Sequence, residues 1–326
     1  MDKAPPGPRR AGRRHGPILP QRGSARAPGL SAPWRRPACR IAVLLLSVAL
    51  LAGCSFGLVY GQLHRLLPWY IDDYVSLDRD QRTLLDVRLA ERLAWHCRTQ
   101  LVPYATLLRG LEGDLRSGAV TPARLETHLG QAESLLRELL AAILPDARLL
   151  LARLDDEQLA ELGEAFRRRN RELRKEFLAG TPAEREAEQI ARMEKRLRRW
   201  FGRLSEEQRA LVARWSEALQ PATVEWLANR ERWQARLLAA LAQRRDAARF
   251  EAGLRPLLLE PEAAWSAGYR ARLAHNREQT LILLAALFDT ATPRQRAHLF
   301  AELEAWARQF EQLACTPSPL LTAGQG

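Results

Sequence analysis

Two adjacent pairs of side chains are of the types that enzymes use in catalysis. His96 directly precedes Cys97, a base beside a nucleophile, and Asp72 directly precedes Asp73, two carboxyl groups suited to acid–base work. However, neighbouring helix residues point about 100° apart, and glycosidase carboxylates come from different elements across the scissile bond. The sequence also has no Gly-x-Ser-x-Gly motif, phosphate loop or dinucleotide fingerprint. These patterns favour a protein without catalytic residues, and an enzyme remains the alternative.

The histidine and cysteine residues are not spaced as metal ligands. The sequence has no Cys-x-x-Cys and no His-x-x-x-His. The histidines that follow residue 53 are scattered: His64, His96, His128, His275 and His298. We expect no metal site and no cofactor.

Cys54 stands at the end of an apolar run. Residues 41–52 are almost entirely apolar, and Arg40 precedes them. The run is shorter than the roughly 20 residues that a permanent membrane-spanning helix needs. A basic flank, a short apolar core and small residues after it are typical of a secretory signal.

The small residues Leu51-Ala52-Gly53-Cys54 resemble the lipobox of bacterial lipoproteins. The resemblance implies cleavage between Gly53 and Cys54, a diacylglycerol on the sulfur and an N-acyl chain such as palmitate. Three acyl chains attach a protein permanently, because two are already enough. By analogy with enteric lipoproteins, Ser55 in place of Asp favours the inner leaflet of the outer membrane, facing the periplasm. The alternatives are the inner membrane, or a chance match within an ordinary cleaved signal.

The basic character of the chain belongs mainly to its first 53 residues. They hold ten of the 50 Lys and Arg residues and one of the 38 Asp and Glu residues, so the net charge of +12 falls to +3 for the remainder (40 minus 37). This distribution argues against a nucleic-acid partner. The basic stretches 167–171 and 192–203 fit either solvated helix faces or a surface for anionic lipid.

Two further cysteines, Cys97 and Cys315, remain for the exported protein. In an oxidising periplasm they form either a disulfide or two separate buried thiols. The sequence does not decide between these states, because it does not show whether the two Cα atoms are close.

The composition predicts an all-α protein. Residues 54–326 contain 51 Leu against 11 Val and Ile together, and β-branched residues are the ones that strands favour. Four helix starts share an Asp, Ser or Thr cap three residues before a Gln, a capping-box pattern: Asp78–Gln81, Asp155–Gln158, Ser205–Gln208 and Thr292–Gln295. Thr121-Pro122 and Thr181-Pro182 mark two more starts.

These signals predict an elongated multi-helix bundle of about eight or nine helices, which Pro103 and Pro145 kink or split. The predicted helices are 58–70, 78–117, 122–153, 156–179, 182–202, 206–219, 221–254, 261–289 and 293–313. The predicted organisation is an N-terminal extension and signal peptide (1–53), a lipidated anchor with an aromatic lead-in (54–77), a helical domain (78–313) and a disordered tail (314–326).

Trp226, Arg230 and Trp233 lie on one helical stripe and are candidates for binding a partner protein. In most helical proteins such a stripe is core. The aromatic residues Trp69, Tyr70 and Tyr74 either rest at a membrane interface or pack on the bundle.

As an ordered set, several motifs resemble an uncharacterised bacterial lipoprotein family, domain of unknown function 6279. They include the lipobox, Pro68–Gln81, Trp95-His96, Leu154–Gln158, Trp200–Gln208 and Arg230–Trp233. The resemblance spans roughly Cys54 to Cys315 and implies an α-helical envelope lipoprotein of a Gram-negative bacterium, with no established activity.

A weaker resemblance links the four boxes to the Leu-Thr-x-x-Gln motifs of the Spy and CpxP periplasmic stress proteins, although Ser or Asp often replaces Thr here. Together these features favour a membrane-anchored, non-enzymatic helical module that binds an envelope protein or a lipid. A periplasmic holdase for unfolded clients, or a cell-envelope hydrolase or transferase, is the alternative.

Overall fold

The computed structural model describes residues 55–118 and 120–315, and these residues form helices joined by short turns, without a strand. The all-α prediction is therefore confirmed. The α-helices of these ranges are α1 (Ser55–Gly61), α2 (Leu63–Ile71), α3 (Arg79–Thr99), α4 (Leu101–Arg116), α5 (Pro122–Leu151), α6 (Asp156–Leu178), α7 (Pro182–Phe201), α8 (Glu206–Ala218), α9 (Thr223–Ala242), α10 (Ala247–Leu259), α11 (Ala267–Asp289) and α12 (Pro293–Leu313). A 3-10 turn, Pro261–Ala264, precedes α11.

All four predicted capping boxes are present. In each, the cap side chain accepts the backbone N–H of the Gln, and the Gln side chain accepts the N–H of the cap. Thr181 and Glu184 form a fifth box, and Thr121 caps α5 through the N–H of Arg124. The helix starts predicted from these signals agree with the structure to within one residue, because capping is a local interaction.

The predicted count of eight or nine helices is too low, since several predicted helices are divided. The predicted helix 78–117 ends at Thr99 and resumes at Leu101. Pro103 has no N–H for the carbonyl of Thr99, and its ring would clash with that carbonyl, which favours a break at this point. At Pro145 the predicted split is absent, because α5 runs on to Leu151.

Two more predicted helices are interrupted or shortened by cap residues that no Gln or Pro follows. Asp246 accepts the N–H groups of Ala248 and Arg249, which divides the predicted helix 221–254 into α9 and α10. Ser266 caps α11, so the predicted helix 261–289 begins only after the 3-10 turn. The predicted helix 58–70 is divided at Gln62.

The boxed glutamines also pair with one another across the fold. Gln81 and Gln158 each donate Nε2 to the Oε1 of the other, at 2.9 and 2.7 Å. Gln81 Nε2 also donates to the carbonyl of Arg153, and Gln158 Nε2 to that of Ser76. This first glutamine clasp joins the N-termini of α3 and α6.

A second glutamine clasp joins α8 and α12. Gln208 and Gln295 exchange Nε2 to Oε1 hydrogen bonds of 3.1 and 2.9 Å, and Gln295 Nε2 also donates to the carbonyl of Arg203. All four clasp glutamines are buried, and Gln208 has no exposed surface. Satisfied amides can be buried in this way without a large desolvation cost.

Two hydrophobic clusters form the core. One includes Phe201, Val212, Leu287 and Leu299, from the helices around the second clasp. The other includes Leu144, Phe166, Leu241 and Phe250, from α5, α6, α9 and α10. α5 is the common neighbour, since it packs against α3, α4, α10 and α11.

The two cysteines that the sequence left undecided form a disulfide. The Cα atoms of Cys97 and Cys315 are 5.2 Å apart, and the backbone N–H of Cys315 donates to the carbonyl of Cys97. The bond ties the end of α3 to the chain that follows α12 and closes a loop with a sequence separation of 218. On the chain-entropy account such a long loop stabilises the fold by up to about 5 kcal/mol.

The clasp makes a prediction for a double-mutant cycle. We expect Gln208→Ala and Gln295→Ala to destabilise the protein with a coupling energy of about 1–3 kcal/mol, because each variant strands the buried amide of the other residue. Urea unfolding of the two single variants and the double variant measures this energy. As a control, Gln208→Ala combined with Gln81→Ala should be additive to within about 0.5 kcal/mol, since the two clasps share no hydrogen-bond partner. Additivity within one clasp would contradict the proposed coupling.

Candidate functional site

An apolar cavity of about 330 Å³ lies between α2, α3 and α5. Leu67 and Ile71 of α2, Leu85 and Leu89 of α3, and Leu150 of α5 are among its lining residues. Its volume is at the lower end of the roughly 300–1,000 Å³ that is usual for small-molecule sites. We call it the α2–α3–α5 cavity.

Four side chains of its lining are polar, and three of them are occupied by other contacts. The amide of Gln81 belongs to the first clasp, and Arg92 forms an ion pair with Asp146 at 2.8 Å. Arg88 donates Nη1 to Glu91, but its Nε is buried and has no hydrogen-bond partner. A buried donor without a partner is unfavourable, so Arg88 gives an otherwise apolar cavity one unused cationic donor.

The cavity therefore has the chemistry of a site for an amphiphile. An apolar tail fits the leucine and isoleucine walls, and a carboxylate or phosphate group can accept from the guanidinium of Arg88. Within residues 55–118 and 120–315, no group of three His, Cys, Asp or Glu side chains is placed to hold a metal ion. In the same residues, no helix has the length and apolar character that crossing a membrane requires.

His96, on α3, holds α1 against the body of the protein. Its Nδ1 lies 3.0 Å from the hydroxyl of Tyr60 on α1, and its Nε2 lies 3.3 Å from the hydroxyl of Tyr104 on α4. Burial lowers the pKa of His96 and raises the pKa of Tyr60 to about 12. Since Cys97 is bonded to Cys315, the neighbouring thiol is not free to act as a nucleophile.

The predicted stripe on α9 does not form one surface. Trp226 is 37% exposed and packs edge-to-face on Phe177, with ring centroids 5.7 Å apart. Arg230 Nε donates to Asn170 Oδ1. Trp233 packs against the cluster around Phe250 and donates Nε1 to a backbone carbonyl at 2.8 Å.

The aromatic residues of the lead-in also differ in burial. Tyr74 packs against the core cluster and receives a hydrogen bond from the hydroxyl of Tyr70. Trp69 is 40% exposed on α2.

The two adjacent aspartates have different partners. Asp72 forms an ion pair with Arg82, and the backbone carbonyl of Asp73 accepts a hydrogen bond from Arg168.

Sequence reasoning missed the cavity residues of α3. Leu85 and Leu89 are four residues apart, as are Arg88 and Arg92, a spacing that places each pair on one helix face. This pattern signals a leucine stripe beside an arginine stripe, but it does not show that a cavity remains between these leucines and α2. The predicted cleavage and lipidation site, Gly53 and Cys54, lies outside the described residues, as do residues 316–326 of the predicted tail.

Comparison with known proteins gives one match. The model of a family of unknown function, DUF6279, matches residues 73–270, more than half of the chain. No curated protein and no solved structure matches significantly. The matched residues contain α3 to α10 and therefore both glutamines of the first clasp.

The buried imidazole predicts a pH-dependent stability. Because the pKa of His96 is lower in the folded protein than its usual value near 6.5, the unfolded chain takes up a proton first as the pH falls. Stability should therefore decrease from about pH 7 down to the folded pKa. Urea unfolding at several pH values should show a shallower decrease in His96→Gln than in the wild type. Equal slopes would mean that His96 does not contribute.

Proposed function

This chain belongs to the DUF6279 family, and we propose that it is a lipid-anchored envelope lipoprotein that binds the acyl chain of a membrane lipid in the α2–α3–α5 cavity. It carries its anchor on Cys54, faces the periplasm from the inner leaflet of the outer membrane, and acts without catalysis. The observation that carries the proposal is the cavity itself, in which leucine and isoleucine walls stand beside the unused Nε donor of Arg88.

The position of the cavity along the chain supports a lipid as its ligand. α1 begins at the residue that follows Cys54, and Leu67 of the cavity lining is thirteen residues from Cys54. At 1.5 Å per helical residue, a helical segment of that length spans about 20 Å. The contacts of His96 with Tyr60 and Tyr104 hold α1 on the body, so a lipid anchor on Cys54 keeps the cavity near the membrane surface.

The chemistry of the lining favours an acyl chain over a polar ligand. Each methylene that moves from water into an apolar site contributes about 0.8 kcal/mol to the free energy of binding. Burial in the cavity therefore stabilises any apolar tail that reaches it. By contrast, Arg92 and Asp146 neutralise each other in the lining and leave little polar surface for a sugar or peptide. Arg88 is the group that distinguishes an acid from a neutral lipid.

The cavity also favours lipid over the other predicted binding functions. A partner protein or an unfolded client that docked on the α9 stripe would need that stripe to form one continuous surface. The α9 stripe offers none, because Trp233 and Arg230 are engaged inside the fold.

A cavity-filling substitution tests acyl binding. Ala147 lines the cavity from α5, whereas Ala141 is exposed on the same helix outside it. We expect Ala147→Trp to weaken binding of a fluorescent fatty acid by at least about tenfold, because the indole occupies the space of the chain. Ala141→Trp is the matched control and should bind as the wild type does.

The same assay separates the tail from the head of the ligand. Arg88→Gln should weaken binding of the free acid but leave binding of its methyl ester unchanged, since only the acid can pair with the guanidinium.

The outcome that would contradict acyl binding in this cavity is unchanged fatty-acid binding by Ala147→Trp, with circular dichroism showing an intact helical fold.

Lipidation has its own test. Cys54→Ala should abolish incorporation of labelled palmitate and release the protein from the membrane fraction, because no other residue provides the lipobox sulfur. Cys39→Ala is the control and should be labelled as the wild type is, since Cys39 precedes the predicted cleavage site. Labelling of Cys54→Ala would refute the anchor and leave the cavity experiment unaffected.

A further inference from the structure

A second opening, a cleft of about 360 Å³, lies between α6 and α9. Arg167, Arg171 and Arg174 line it from α6, and Glu231 and Gln234 line it from α9. The cleft thus contains part of the basic stretch 167–171, for which the sequence offered either a solvated face or an anion-binding surface. It shares no lining residue with the α2–α3–α5 cavity.

A chain of hydrogen bonds ends at this cleft with an unused donor. Arg230 Nε donates to Asn170 Oδ1 at 3.2 Å, and Asn170 Nδ2 donates to Gln234 Oε1 at 2.6 Å. The direction of this chain is fixed, because a guanidinium can only donate a hydrogen bond. Asn170 therefore accepts with its oxygen and turns its amide nitrogen to Gln234, which must accept with its own oxygen. Gln234 is 4% exposed, and its Nε2 has no partner. The group that completes this chain must be an acceptor.

The charges of the residues that line the cleft also favour binding of an anion. Three arginines and one glutamate give the cleft lining a formal charge of +2. Arg174 is held by Glu231 in a two-oxygen contact, and Arg167 pairs with Glu164, which is largely exposed and does not line the cleft. Arg171 has no hydrogen bond or ion pair anywhere in the described ranges. A phosphate monoester, with a charge of about −1.5 to −2, matches this lining.

The lining beside the arginines is partly apolar. Phe166 and Leu238 form apolar walls, and charge-assisted hydrogen bonds are stronger beside apolar surface than in open water.

We propose that the cleft between α6 and α9 binds inorganic phosphate or a phosphate monoester, which Arg171 and its two neighbouring arginines hold and which accepts from Gln234. The group is either free phosphate or the headgroup of a phosphorylated lipid. Arg171 supplies a cation that forms no hydrogen bond or ion pair with a carboxylate of the described chain, and Gln234 supplies the donor that ends the Arg230–Asn170 chain. This site stands whether or not the α2–α3–α5 cavity binds an acyl chain.

The test uses the full chain, purified in detergent, with inorganic phosphate at pH 8 as the first probe. Calorimetric titration should detect binding, and Arg171→Gln should weaken it by at least about tenfold. Arg196→Gln is the matched control: Arg196 is also exposed and unpaired, but it lies on α7 outside the cleft. Its affinity should stay within about twofold of the wild type.

Nanodiscs distinguish the two sources of the group. Binding to phosphatidic acid but not to phosphatidylcholine, without binding of inorganic phosphate, assigns the site to a lipid headgroup. Binding of inorganic phosphate shows that the phosphate group alone is sufficient. In both cases Arg171→Gln must reduce binding. If neither probe binds, or if Arg196→Gln reduces binding as much as Arg171→Gln does, the proposal is wrong.

A second variant examines the buried donor. Gln234→Glu still accepts from Asn170 but replaces the unused donor by an acceptor, so phosphate binding should fall by at least as much as in Arg171→Gln. Thermal unfolding by circular dichroism establishes that the variant is folded. Undiminished phosphate binding by folded Gln234→Glu would exclude Gln234 from the site.

Discussion

The fold depends on satisfying the amides of buried helix N-termini. A glutamine side chain has two N–H donors and two acceptor positions on its oxygen. In Gln81, Gln158 and Gln295, all four are used: the oxygen accepts the N–H of its own cap and the amide of its partner, and the nitrogen donates to the partner and to a backbone carbonyl. One residue type thus helps to start each of these four helices and also specifies which other helix start lies beside it. Replacement by an apolar side chain would leave several buried groups without partners at once.

This constraint also places the two candidate sites. The first clasp fixes the start of α3 against the start of α6, and Gln81 itself lines the α2–α3–α5 cavity. Further along α6, residues Gly163 to Arg174 form one side of the cleft. α6 therefore serves a structural role at its N-terminus and presents its arginines from the middle of the helix. The second clasp does the equivalent structural work for α8 and α12, around which the other core cluster is built.

Local interactions were the part of the fold that the sequence predicted well. A cap and its Gln are three residues apart, so the boxes at Asp78, Asp155, Ser205 and Thr292 were readable, and α12 begins and ends where expected. The start of α10 at Asp246 was missed, because this cap has no Gln or Pro after it to distinguish it from an ordinary aspartate. The pairing of the boxes was not predicted either, since partners 77 or 87 residues apart leave no local trace. For the same reason the sequence did not predict the cavity, because α2, α3 and α5 form it together. It also did not decide whether the two cysteines are bonded.

The choice of arginine over lysine connects the stability of the helices with their recognition chemistry. Residues 54–326 contain only two lysines, Lys175 and Lys195, among 40 basic residues. Many of the arginines are used within the fold, where the planar fork holds a carboxylate or covers a ring, as Arg116 does over Phe300 at 4.2 Å. Unpaired arginines on open surface are simply solvated. Arg88 and Arg171 differ from these because each lines a concave opening, beside a buried donor without a partner: Nε of Arg88 itself and Nε2 of Gln234. At these two places an external acceptor would complete a buried donor that has no hydrogen-bond partner within the described chain.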